Sequence, residues 1–101
     1  MLRSELLEIL ANGESSSVEF KRDDVRPEQV AREIVAMMNV RGGRLLLGVE
    51  DDGQVSGVQR PDLEEWVMNI FAEKIHPSVL PHYEEVADST LAKFDLRAQQ
   101  S

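Results

Sequence analysis

Two carboxylates, Glu14 and Glu19, stand five positions apart in GESSSVEFKR, residues 13–22. Lys21 and Arg22 follow directly after Phe20. Acids placed like this can exchange a proton or share a divalent cation, and a neighbouring lysine can neutralise a phosphate oxygen. A second acidic group, Glu50, Asp51 and Asp52, follows the apolar run RLLLGV. Such oxygen-rich clusters suit Mg²⁺ or Mn²⁺, although acids before Gly53 are equally at home in a plain hairpin turn. If one of these three acids converged on Glu14 and Glu19, a cation could be held and a water activated. Strand alternation would turn Glu50 and Asp52 to one side and Asp51 to the other.

The remaining chemistry-bearing residues are sparse. Gly42-Gly43, between Arg41 and Arg44, could bring backbone close to a phosphate; the same pair also reads as a helix stop followed by a tight turn. The chain has no G-x-x-x-x-G-K-[ST] run, so it carries no nucleotide-binding P-loop. His76 and His82 flank a proline loop without a nucleophile beside them, and Ser15, Ser16 and Ser17 lack an elbow motif. Trp66 and Tyr83 are too isolated to form a base-stacking platform. Gly48 and Gly57 fall in strand-like stretches, where a bulge or close packing is the natural reading.

Elements that could position these residues must come from 101 residues, which suits one domain with an ordered core over 4–97. Cysteine is absent, which excludes disulfides and thiolate chemistry. No apolar run reaches a membrane-spanning length, and the charged start MLRSELLEIL is no signal peptide, so a cytoplasmic location is expected. The net charge of −8 is unlike a general nucleic-acid binder, but it is unevenly spread. Residues 1–20 carry −3, residues 21–44 carry +2 and residues 45–101 carry −7. Any attraction for phosphate must therefore come from the middle segment.

Ser4 can cap a helix over 5–11 with Leu2, Leu6, Ile9 and Leu10 as its apolar stripe, stopped at Asn12-Gly13. A strand follows over 17–21. Pro27 suits the first turn of a second helix, whose Val30, Ala31, Ile34, Val35 and Met38 recur at core spacing. RLLLGVE reads as a buried central strand, DDG as a hairpin turn and QVSGV as the return strand. Pro61 opens a third helix with Leu63, Trp66, Val67, Ile70, Phe71 and Ile75 inward, ended by Pro77. HYEEVA and TLAKFDL form a last hairpin turning at Asp88-Ser89. The expected architecture is an α+β fold in the order α-β-α-β-β-α-β-β. Three helices cover one face of a mixed, mostly antiparallel sheet of about five strands. The link from the first strand through the second helix is long enough for a parallel crossover.

Taken together, GESSSVEFKR, AREIVAMMNVRGGRLLLGVEDDGQVSGV and the helix after Pro61 resemble the Schlafen AlbA domain family. The family pattern E-S-x-x-x-E-F-K falls on Glu14, Ser15, Glu19, Phe20 and Lys21. A-x-x-N-x-x-G-G falls on Ala36, Asn39, Gly42 and Gly43, and G-V-x-D-x-G on Gly48, Val49, Asp51 and Gly53, with Gly57-Val58 after it. The resemblance implies a DNA-binding module of a bacterial transcriptional regulator, as the N-terminal part of a longer protein. Lys21, Arg22, Arg41, Gly42, Gly43 and Arg44 would then meet DNA or RNA. It also implies an alternative, a Mg²⁺- or Mn²⁺-dependent endoribonuclease with Glu14, Glu19 and Asp51 as catalytic and metal-holding acids. A non-catalytic assembly domain, for instance a homodimer, is the third expectation.

Overall fold

The computed structural model describes residues 3–39, 42–75, 82–86 and 91–97. Arg41, His76, Pro77, Pro81 and the Asp88-Ser89 turn lie outside them. The elements run α1 (Arg3–Asn12), β1 (Val18–Lys21), α2 (Pro27–Met38), β2 (Gly42–Leu47), α3 (Leu63–Lys74), β3 (His82–Val86) and β4 (Leu91–Arg97).

The four strands form one sheet in the order β1-β2-β4-β3. β1 and β2 are parallel, with Val18 opposite Arg44 and Lys21 opposite Leu47, as the long crossover through α2 allows. β2 with β4, and β4 with β3, are antiparallel. The α+β class and the three helices agree with the expectation, but the count of about five strands does not: among the described residues the sheet has four, with a parallel pair, β1 and β2, at one edge. QVSGV is not a return strand: it makes one isolated bridge, Val49 with Val55, and the chain then leaves the sheet. The acids before it are consequently loop residues, so strand alternation does not govern where they point.

The helices do not share one face either. Leu45 and Leu47 of β2 pack with Val30, Ile34, Val67, Ile70 and Phe71 of α2 and α3. Leu46, between them, packs with Phe20 of β1 and Leu6 of α1. Because successive strand residues face opposite ways, α2 and α3 cover one face and α1 the other. In α2 the core stripe is Val30, Ala31, Ile34 and Met37, while Val35 is exposed. Val35 is thus not the core residue its spacing suggests; Met37 takes the fully buried place, and Met38 packs partly buried against the same core.

Pro27 starts α2 at its first turn, and Gln29 Oε1 accepts the Arg26 N–H at 3.2 Å. The start of α3 falls at Leu63, two residues later than expected, because Asp62 before it adopts a left-handed φ of 52°. Arg60 ties this entry to the loop after β1. One of its Nη groups donates to the carbonyls of Asp23 at 2.6 Å and Val25 at 3.1 Å, and the guanidinium lies 4.0 Å from the Trp66 ring centroid. Its Nε stands 3.4 Å from Asp23 Oδ1, an ion pair without hydrogen-bond alignment. Lysine keeps the charge but lacks the planar fork. Arg60→Lys is therefore expected to lower stability by about 1 kcal/mol in urea titration and to change Trp66 fluorescence.

Candidate functional site

The motif residues gather at the outer edge of β1. A tight turn folds Ser15 back on Val18, whose backbones exchange hydrogen bonds of 2.9 and 3.4 Å. This brings Glu14 alongside the strand, where its Oε2 accepts the Phe20 N–H at 3.0 Å. Phe20 itself is buried on the α1 face, so its neighbours Glu19 and Lys21 turn to the α2 face. There Lys21 Nζ meets Glu33 Oε1 of α2 at 3.7 Å.

Glu19 thus lies among Glu14, Glu33 and Lys21. Partial burial, a hydrogen bond with Glu14 and the charges of Glu33 and Glu14 push the Glu19 carboxyl up to about 7, against the opposing pull of Lys21. Glu19 therefore holds its proton into the neutral range, with Glu14 beside it. The sequence joined them by motif, but it gave no sign of Glu33. That residue lies one position before the core residue Ile34, and only the crossover packing of α2 on β1 brings it to the site.

Asp51 belongs to a different neighbourhood. It lies in the loop after β2, where its charge acts on Arg22 together with those of Asp24 and Glu50. Arg22 donates to Asp24 Oδ2 at 2.7 Å, and its Nε lies 3.9 Å from Glu50 Oε2. Among the described residues no group of three histidine, aspartate or glutamate side chains is arranged to hold a metal ion. Glu14, Glu19 and Asp51 therefore do not fit Mg²⁺ or Mn²⁺ as a three-ligand set in this arrangement.

The glycine pair is a packing device. Gly42 is buried, and a Cβ on Gly43 would stand 2.7 Å from the Ser17 carbonyl oxygen. That carbonyl accepts the Arg44 N–H at 2.8 Å, so the small residue lets β2 pair with the serine turn. Arg44 is exposed at this end, opposite Val18.

At the other end of β1 a shallow depression of about 330 Å³ opens between the strand and the start of α2. Lys21, Arg22 and Arg26 line it, together with Asp24 and Asp51. The motif points to Lys21 and Arg22 but not to Arg26, whose contribution depends on where α2 begins.

A family model described as "Schlafen, AlbA_2" matches residues 14–94, which takes in the acidic motif, the glycine pair, β1 to β3 and the first half of β4. The chain belongs to the Schlafen AlbA_2 family. No curated protein matches it. Within this AlbA_2 domain, the E-S-x-x-x-E-F-K motif builds the edge of the sheet as well as a cluster of ionisable groups. No described helix of it is long and apolar enough to cross a membrane.

Proposed function

We propose that this Schlafen AlbA_2 domain is the nucleic-acid-binding module of a bacterial transcriptional regulator, seating backbone phosphates on Lys21, Arg22 and Arg26. The reading rests on the depression at the end of β1, where three cations, from the last residue of β1 and the loop leading to α2, line one concave surface. Family membership supports it, because the Schlafen AlbA_2 resemblance links the chain to nucleic-acid association. Arg44, at the opposite end of the parallel pair, supplies a separate contact.

The cations are not idle. Arg22 is held by Asp24 and lies near Glu50, and Lys21 by Glu33, so a phosphate must displace existing ion pairs. With a chain charge of −8, binding is weak and strongly salt-dependent. Three phosphate contacts give a slope of about −2 to −3 in log K against log salt. Fluorescence anisotropy with duplex DNA and hairpin RNA at low salt tests this. Arg26→Ala is expected to weaken binding about fivefold and to reduce the salt slope by about 1. Absence of binding to either probe at low salt overturns the reading.

The endoribonuclease alternative draws on the Glu14–Glu19 pair beside Lys21. It needs a further acid to join them, and no step through a metal follows from the present arrangement. A purely assembling domain would instead form a stable oligomer without nucleic acid, which light scattering distinguishes.

A further inference from the structure

β1 and β3 are the two edges of the sheet, and they are finished differently. The outer side of β1 is closed by the chain's own residues, since Val18 pairs with Ser15 and the Phe20 N–H with Glu14. Among the described residues, no strand pairs with the outer side of β3. Beside β3 a groove of about 570 Å³ lies against the start of α3, with Leu63 and Met68 in its lining. Asp62, Glu64, Glu65 and Glu85 also line it. Asp62, Glu64 and Glu65 have no ion-pair partner among the described residues. The cation in the lining, Arg60, is already committed to Trp66 and Asp23. Glu85 accepts a hydrogen bond from the Tyr83 hydroxyl at 2.9 Å, and Glu64 acts on that same hydroxyl. The helix and the strand therefore direct their acids into one space.

We propose that the open edge of β3 and this acid-lined groove together dock an extended basic segment of a partner protein, added to the sheet as a further strand. An added strand pairs its backbone with the free edge, and alternate side chains then face the groove. Lysine or arginine at those positions meets Glu64, Glu65 and Glu85 with its charged head and lays its methylene stem over Leu63 and Met68. Charge selects this occupant. A second copy of the chain carries −8 and would set its own acidic edge against this one. A nucleic-acid phosphate meets four carboxylates here, so the groove is a separate surface from the depression at β1.

The test uses the 101-residue chain. The probe is a fluorescein-labelled ten-residue peptide of alternating lysine and valine, followed by anisotropy. Two comparison peptides alternate glutamate with valine, or keep lysine and valine but carry methyl groups on alternate backbone nitrogens, tried in both registers. The lysine–valine peptide is expected to bind, and both comparison peptides at least tenfold more weakly. A variant combining Glu64→Gln, Glu65→Gln and Glu85→Gln is expected to lose tenfold in peptide affinity. Its circular dichroism should stay unchanged, and its affinity for nucleic acid should not fall. The proposal is overturned if the lysine–valine peptide does not bind, or if N-methylation makes no difference, since charge alone then explains binding. Undiminished binding by the triple variant also overturns it, as does a dimer in light scattering that the peptide cannot displace.

Discussion

Gly48→Ala should cost about 3–4 kcal/mol of stability. Two costs add. Gly48 has a φ of +95°, which an L side chain occupies only with strain of about 1–2 kcal/mol. Its new Cβ would also stand 2.8 Å from Val58 Cγ2 and about 3.0 Å from the Gly57 carbonyl carbon, overpacking worth about 1–3 kcal/mol. Neither neighbour yields easily, because Gly48 is a junction. Its N–H donates to the Lys21 carbonyl at 2.7 Å, and its own carbonyl accepts from the backbone N–H of Ser56 and Gly57, both at 2.9 Å. Displacing it pulls on β1 and on the loop after the acids together. Urea unfolding should show a lower midpoint with an unchanged m-value, and nucleic-acid affinity should fall because Lys21 moves. A variant as stable as the parent would mean that this junction is far softer than its hydrogen bonds indicate. Gly53→Ala makes a useful comparison. It also has a positive φ, but its close neighbour is the Leu10 carbonyl oxygen at the end of α1, away from the β1–β2 junction.

The same junction explains why some of the fold was legible in the sequence and some was not. Gly48 reads correctly from its strand-like setting as a site of close packing. The helices, the central strand and the final hairpin follow from apolar periodicity, which packing against a sheet enforces directly. QVSGV misleads because its alternating composition is that of a strand, whereas Gly57, with a φ of +86°, and the Arg60 tie to Asp23 and Val25 lead the chain away from β2. The shortfall from about five strands to four has this local cause. Glu14 and Glu19 were legible as a pair because a short turn joins them. Asp51 was placed with them by its motif, yet its loop sits by Arg22. Arg26 shows in the sequence only through the positive balance of residues 21–44, and Glu33 not at all, since their relevance comes from where α2 begins and how it crosses over β1, relations that no spacing along the chain encodes.

Glu19 carries the clearest consequence of that crossover. Its carboxyl titrates at about 7 in the folded chain and near the ordinary 4.5 when unfolded. Between these values the folded state holds a proton that the unfolded state has released, so the slope of unfolding free energy against pH is negative. The contribution of Glu19 is thus most favourable below about pH 4.5. It declines as pH rises to about 7, and the loss persists above that. The full shift would correspond to about 3 kcal/mol, which solvent screening at this partly open edge reduces to about 2 kcal/mol. Glu19→Gln removes the charge while its amide can still donate to Glu14. Urea unfolding is therefore expected to find the variant about 2 kcal/mol more stable than the parent at pH 8 and equal to it at pH 4.5. A variant less stable than the parent at pH 8 would show that the charged form is the favoured one and that the acids do not crowd each other. Ligand binding supplies a second readout. Above pH 7 an ionised Glu19 competes with phosphate for Lys21, so nucleic-acid affinity should fall between pH 6 and pH 8 in the parent and much less in Glu19→Gln. Lys21→Met separates the two effects. Without the lysine the Glu19 carboxyl is pushed higher still and the loss of stability with pH grows, while the pH dependence of nucleic-acid affinity is lost with the contact that carried it.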